Sequence, residues 1–163
     1  MTPPEIAIVT PSTPEEWGLV REMLCDYQAS LSVHLGFQDF EQELLDLPGQ
    51  YAEPSGGFLL ALVDGAVAGC GGFRNLPEVD YPNACEMKRL YVRPAFRRFG
   101  LGRVLAQGLL DAATQAGYSS MLLDTLDDME AARGLYESLG FEAVPPYYFN
   151  PIAGAHYLKV ELA

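Results

Sequence analysis

No stretch of this sequence is apolar for long enough to cross a bilayer. The longest run, Phe58–Val63, has six residues, where a spanning helix needs about 20. Met1-Thr2-Pro3-Pro4-Glu5 lacks the basic and then apolar layout of a secretory leader. Cysteine is scarce. Cys25, Cys70 and Cys85 are widely spaced among apolar or small neighbours, which excludes a disulfide framework, a zinc-binding pair and a C-x-x-C redox motif. They read as reduced, mostly buried thiols of a cytoplasmic protein that needs no metal. Positive charge is also in short supply: 10 basic residues against 22 acidic ones give a net charge of −12. Such a balance disfavours nucleic acid as a partner. The acidic remainder suits a cationic substrate, or solubility alone. Repeats and low-complexity tracts are absent, so the 163 residues read as one domain, residues 1–163, able to bury a core without covalent staples.

The patterning that is present alternates between strand and helix periods. Glu5–Thr10 is β-rich and alternating. Thr13-Pro14-Glu15-Glu16 is a helix start with a capping threonine, proline at the first helical position and a glutamate to close a capping box. Trp17, Val20, Leu24, Tyr27 and Leu31 continue it at helical spacing, predicting a helix from Pro14 to Ala29. Phe40–Leu47 predicts a short acidic helix ending before Pro48 and Gly49. Phe58–Val63 and Ala66–Gly72 flank Asp64-Gly65, a two-residue hairpin signal. Ala84–Val92 is a longer strand ended by Pro94. Leu101, Val104, Leu105, Ala112 and Ala116 mark a helix that Gly117 terminates, Ser120–Thr125 is a short strand, and Asp127-x-x-Glu130 opens a helix stopped by Gly140. Two last strands, Phe141–Val144 and Ala155–Leu162, flank a loop rich in proline and tyrosine. The order β-α-α-β-β-β-α-β-α-β-β predicts an α/β architecture, a mixed sheet with helices packed on it.

Basic residues are few but clustered. Lys88, Arg89, Arg93, Arg97, Arg98 and Arg103 place six of the ten within sixteen positions, and such a patch in an acidic chain calls for an anion. Here a strand ends, a basic loop turns, and Gly100 and Gly102 open an amphipathic helix. The first backbone N–H groups of a helix have no internal partners and sit at the positive end of its dipole. Glycines let a ligand approach the main chain, and arginines add donors suited to phosphate oxygens. Together they can cradle a diphosphate. Two familiar phosphate loops are excluded: no Lys-Ser or Lys-Thr follows the glycines, and Leu105 stands where a dinucleotide fingerprint needs its third glycine. Taken alone, two such glycines would serve a plain tight turn equally well.

Arg97-x-x-Gly100-x-Gly102 after Leu90-Tyr91-Val92 resembles the coenzyme A signature R/Q-x-x-G-x-G/A of the GNAT N-acetyltransferase superfamily. Downstream, Leu135-Tyr136-Glu137-Ser138-Leu139-Gly140-Phe141 resembles that family's L-Y-x-x-x-G-F helix ending. The likeness runs from about Phe58 to the C-terminus, and Pro145-Pro-Tyr-Tyr-Phe-Asn-Pro is similar to a bacterial subgroup of small members. One departure is Met129, seven residues before Tyr136, where family members often carry an asparagine that touches the cofactor arm.

The resemblance implies the GNAT fold, a central, mostly antiparallel sheet flanked by helices, and transfer of an acetyl group from acetyl-CoA to an amine by direct attack in a ternary complex. Leu90, Tyr91 and Val92 would pair with the pantetheine arm and supply a main-chain N–H to the reacting carbonyl. Arg97, Arg98, Phe99, Gly100, Leu101, Gly102 and Arg103 would hold the diphosphate. Glu86, eleven residues before Arg97, stands where several members carry a general base, although it would equally serve as a cross-strand partner of Lys88 or Arg74. Tyr136 is the candidate acid, and simple packing is its other reading. His34, Phe37 and Tyr147 are candidate acceptor contacts, Tyr148 would wall the pocket or a subunit contact, and His156 reads as structural. The acceptor expected is a small amine, leaning to a cationic one, with a homodimer usual for the family. The rival reading of another class is an acyl-CoA sensor of the same fold without turnover.

Overall fold

The local signals translate into elements almost position for position in the computed structural model, which describes residues 3–31, 40–126, 130–148 and 154–162. Helix α1 (Pro14–Ser30) follows a closed capping box: the Glu16 N–H donates to Thr13 Oγ1 at 3.1 Å, and the Thr13 N–H donates to Glu16 Oε1 at 3.2 Å. Helix α2 is Phe40–Asp46. Strands β1 (Ile6–Val9), β2 (Gly57–Val63), β3 (Ala66–Asn75) and β4 (Ala84–Val92) precede helix α3 (Leu101–Gln115). Then come β5 (Ser120–Leu126), helix α4 (Glu130–Ser138), β6 (Glu142–Ala143) and β7 (Ala155–Glu161). Asp64 and Gly65 both take positive φ, 49° and 84°, and join β2 to β3 with Val63 opposite Ala66, the primed turn that matches strand twist.

The seven strands form one sheet in the order β1-β2-β3-β4-β5-β7-β6. Among the described residues only β4 and β5 run parallel, and a parallel pair needs a crossover, which α3 provides. The sheet is buried on both sides. Val20, Met23 and Leu24 of α1 pack with Phe40, Tyr51, Phe58, Leu60 and Cys70 on one face. Leu105, Leu109 and Ala113 of α3 pack on the other, with Ala61, Val63, Met87 and Met121. Burial on both faces explains why β2 reads as an unbroken apolar run.

Two expectations are corrected, and a third, that the cysteines are mostly buried, holds for two of the three. The strand at Phe141–Val144 is only Glu142–Ala143, because the Phe141 N–H donates to the Tyr136 carbonyl and the ring is buried under α4. Cys70 and Cys85 are buried, but Cys25 is exposed on α1. The basic cluster is not one patch. Arg89 is buried and takes a positive φ of 63°. It sits where β4 has one more residue than β3, since Cys70 opposes Tyr91 while Gly72 opposes Lys88. Such a bulge re-aims side chains and breaks simple alternation.

Candidate functional site

The site grows from a fault in the sheet. Strands β4 and β5 are paired only from Ala84, Cys85 and Glu86 to Ser120, Met121 and Leu122. Beyond Glu86 they separate, and from Met87 to Val92 β4 has no strand partner on its β5 side among the described residues. This unpaired edge carries main-chain donors and acceptors. Leu90, Tyr91 and Val92 lie on it, all half-buried. Tyr91 packs edge-on against Tyr27 of α1 with ring centroids 5.8 Å apart, and Leu90 and Val92 pack toward α3.

At the end of this edge a 3-10 turn, Pro94–Phe99, leads into α3 through Gly100 in the left-handed region, φ 70°. No side chain caps α3, so its first N–H groups face outward. A Cβ on Gly100 would meet nothing within 4 Å, and one on Gly102 would meet only Leu135 Cδ2 of α4 at 3.5 Å. Leu101 is buried among Ala61, Val63 and Leu105 and anchors the helix, so its main chain is what it can offer a ligand. Phe99 packs near Phe96. Arg97, Arg98 and Arg103 are exposed around this mouth. Arg97 Nε donates to the Val92 carbonyl at 3.0 Å, Arg98 lies over the Phe99 ring, and Arg103 reaches Ser138 Oγ of α4 at 2.7 Å. The other cluster members serve elsewhere: Arg93 binds Asp26 at 2.7 Å and the Val67 carbonyl, while Arg89 binds Glu43 at 2.8 and 3.0 Å.

On the face of α1 and α2, beside the strand separation, lies a cavity of about 500 Å³, within the size range of small-molecule sites. Glu86, Lys88, Arg74, Tyr51, Tyr147 and Tyr148 line it. Glu86 is buried. Its Oε1 accepts from Arg74 Nε at 3.0 Å and its Oε2 from the Tyr147 hydroxyl at 2.7 Å, so the cross-strand pairing weighed for it is present. Burial raises Tyr147, and the Glu86 carboxylate raises it further. Tyr148 donates to Asp124 of β5, whose carboxyl is raised by burial and by the Glu86 charge, against that hydrogen bond. Burial and the neighbouring Arg89 charge push the Lys88 ammonium down. Burial alone would raise Glu43, but the Arg89 guanidinium outweighs it and holds the carboxyl low.

Tyr136 of α4 is 7% exposed and packs edge-to-face on Phe141. It belongs to the core more than its place off the helix's apolar stripe suggests. Its hydroxyl makes no hydrogen bond among the described residues, and burial, with Tyr27 and Asp124 nearby, raises it above the ordinary phenol value. It therefore stays protonated at neutral pH and can donate. His34, Phe37 and Met129 lie outside the described residues. His156 is half-buried on β7 opposite Thr125. No group of three or more potential metal ligands occurs among the described residues.

Glu86 and Tyr147 thus meet in the cavity. The α3 mouth and the β4 edge form a second, adjoining surface, and Tyr136 packs on the α4 side. Sequence reading missed the Glu43–Arg89–Tyr51 set and the Asp124–Tyr148 pair. Asp124 carried a weak signal as the lone carboxylate in an apolar strand. Arg89 carried none, because its role depends on the bulge.

Comparison with known proteins agrees with this geometry. Residues 18–141 match the acetyltransferase (GNAT) family. An uncharacterized N-acetyltransferase of Schizosaccharomyces pombe is 35% identical over 164 aligned positions, covering 100% of this chain and 99% of its own. Relatives therefore extend to eukaryotes as well as bacteria. Among solved structures, a Staphylococcus aureus GNAT acetyltransferase superposes with a TM-score of 0.77 at 17% identity, covering 98% of this chain and 100% of its own. A Salmonella typhimurium protein solved with its cofactor acetyl-CoA gives a TM-score of 0.70 at 20% identity, covering 97% of this chain and 94% of its own.

Proposed function

Because this chain belongs to the GNAT acetyltransferase family, we propose that it transfers an acetyl group from acetyl-CoA to the amine of a small acceptor. One observation carries the reading: the uncapped α3 mouth and the unpaired β4 edge lie in line, and the edge borders the Glu86 cavity. Outward N–H groups at a helix start, with open space at Gly100 and Gly102, fit a diphosphate. An unpaired strand edge fits the amides of a pantetheine arm.

Bound acetyl-CoA supplies an activated acyl carbonyl. The chain's own groups do the rest. The α3 N–H groups, with Arg97, Arg98 and Arg103, hold the diphosphate. Main-chain N–H groups of Leu90–Val92 orient the arm and stabilise the charge that develops on the carbonyl oxygen. An alkylammonium of pKa about 10 must lose a proton before it can attack. Glu86 receives that proton at a carboxylate oxygen, directly or through one water. Each oxygen already accepts one hydrogen bond and has a further lone pair. Tyr136 donates toward the departing sulfur. Burial pushes the Cys70 and Cys85 thiols up to about 12, which leaves them protonated and unreactive. That supports direct transfer over an acyl-enzyme.

Calorimetry with acetyl-CoA, followed by thiol release across a panel of amines, tests the proposal. Heat of binding and thiol release that needs both substrates are expected. Binding without release across the panel would point to an acyl-CoA sensor. No heat at millimolar acetyl-CoA would overturn both readings.

A further inference from the structure

Lys88 has a requirement that the described residues leave unmet. Its side chain is 14% exposed and lines the cavity. Its ammonium has three protons to donate, yet the nearest carboxylate oxygen, Glu86 Oε1, stands 4.0 Å away, beyond hydrogen-bond reach. No hydrogen bond to it occurs among the described residues. The neighbouring charges are already matched. Glu43 is held by Arg89 and the Tyr51 hydroxyl, and Glu86 by Arg74 and Tyr147. A half-buried ammonium without acceptors is costly, and an arriving anion would relieve that cost.

The wider charge pattern points the same way. Among the described residues the inner lining carries two cations, Arg74 and Lys88, and two carboxylates, Glu43 and Glu86, and Arg89 behind the lining neutralises Glu43. The inner carboxylates therefore offer a polycation little unmatched charge. Asp46 and Glu78 add carboxylates at the rim, where both are exposed to water and weakened by it. Glu78 also faces Arg74 at 3.6 Å. Lys88 lies two positions beyond Glu86 on β4, just past the point where β5 departs. A molecule with its amine at Glu86 thus has an ammonium waiting on its other side.

The geometry points to an acceptor that carries a carboxylate beside its amine, an amino acid, with the carboxylate on Lys88 and the amine toward Glu86 at the strand separation. This rests on the acetyl-transfer reading of the same site and narrows it. It also moves the expected acceptor from a cationic amine to a zwitterion.

The test is calorimetric titration of amino acids and their decarboxylated amines, in matched pairs, with phosphoethanolamine included, into the full chain saturated with coenzyme A. Wild type, Lys88→Met and Lys88→Arg are compared. In at least one pair the amino acid should bind wild type about tenfold tighter or more than its amine, the scale of one charge-assisted hydrogen bond. Lys88→Met should bring that ratio to about one, and Lys88→Arg should keep most of it. In turnover the Lys88→Met defect should fall on KM for the amino acid, with kcat changed little. Equal or tighter binding of the amines to wild type would overturn the inference. So would a preference for phosphoethanolamine, absence of amino-acid binding at millimolar concentration, or a preference retained in Lys88→Met. The heat of coenzyme A binding, read in the same cell, separates the failures. If it persists, only the amino-acid inference falls. If it is absent from wild type, both readings fall.

Discussion

Replacing Gly102 with glutamate should push stability and cofactor affinity in opposite directions. Gly102 is the second residue of α3, its φ is not in the left-handed region, and a Cβ there would meet only Leu135 Cδ2 at 3.5 Å, an ordinary contact. The fold therefore accepts a side chain. Removing glycine from a helix recovers about half a kcal/mol or more. A carboxylate in the first turn adds about 0.3–1 kcal/mol through the helix dipole. Together these stabilise by roughly 1 kcal/mol, or about 2–4 °C in Tm for a chain of this size. Against a bound diphosphate the same carboxylate is repulsive. At a separation of about 5 Å and an effective dielectric of about 40, two phosphate charges oppose it by roughly 3 kcal/mol. Acetyl-CoA should then bind about a hundredfold more weakly. Gly102→Ala is the control for size: it adds one methyl and should bind within a few-fold of wild type. Scanning fluorimetry reads the first effect and calorimetry the second. A Gly102→Glu protein that gains stability and keeps wild-type affinity for acetyl-CoA would show that the diphosphate lies elsewhere, and the assignment of the α3 mouth would fall.

Tyr136→Phe removes a hydroxyl that makes no hydrogen bond among the described residues. Stability and acetyl-CoA affinity should therefore stay near wild type while kcat falls about tenfold or more; unchanged kcat would remove Tyr136 from the mechanism. Glu43→Gln removes the carboxylate that the Arg89 guanidinium, 3% exposed, binds through two nitrogens and should destabilise by about 3 kcal/mol in denaturant unfolding. Because the Glu43 carboxyl is held below its ordinary value in the folded chain, its contribution is present above the unfolded pKa of about 4.3 and is lost as pH falls through the lower folded value. The Tm gap between wild type and Glu43→Gln should accordingly narrow as pH drops from about 5 toward 3; a constant gap would count against the pairing. Gly72→Ala would press a Cβ to 2.6 Å from Phe58 and 2.8 Å from Tyr51, costing about 1–3 kcal/mol and displacing the tyrosine that holds Glu43. Thermal unfolding would check the loss.

Nearly every element was legible along the chain because its signals are local. The Thr13–Glu16 capping box, the Asp64-Gly65 turn and the glycines that open α3 each specify backbone geometry through residues a few positions apart, and all three stand as expected. The same holds for Glu86: its place in β4 and its alternatives, proton acceptor or partner of Arg74, could both be named, and the structure shows the pairing while leaving lone pairs for the chemistry. Lys88, Arg89 and Arg93 went astray for the opposite reason. In sequence they look like one anion-binding patch with Arg97, Arg98 and Arg103. The partners that divide them, Glu43 and Asp26, lie 46 and 67 positions away.

What the sequence by itself determined is the succession of elements, the strand-to-helix turn with its two glycines and the family to which they belong, since each is written in short-range periodicity, turn chemistry and spacing. Tertiary structure alone decided where β4 and β5 part, that one extra residue at Arg89 turns a surface arginine into a buried ion pair, and that Lys88 faces a cavity without a hydrogen-bond acceptor among the described residues. Those outcomes depend on register and burial between strands and helices distant in the chain, and neither quantity has a local signature.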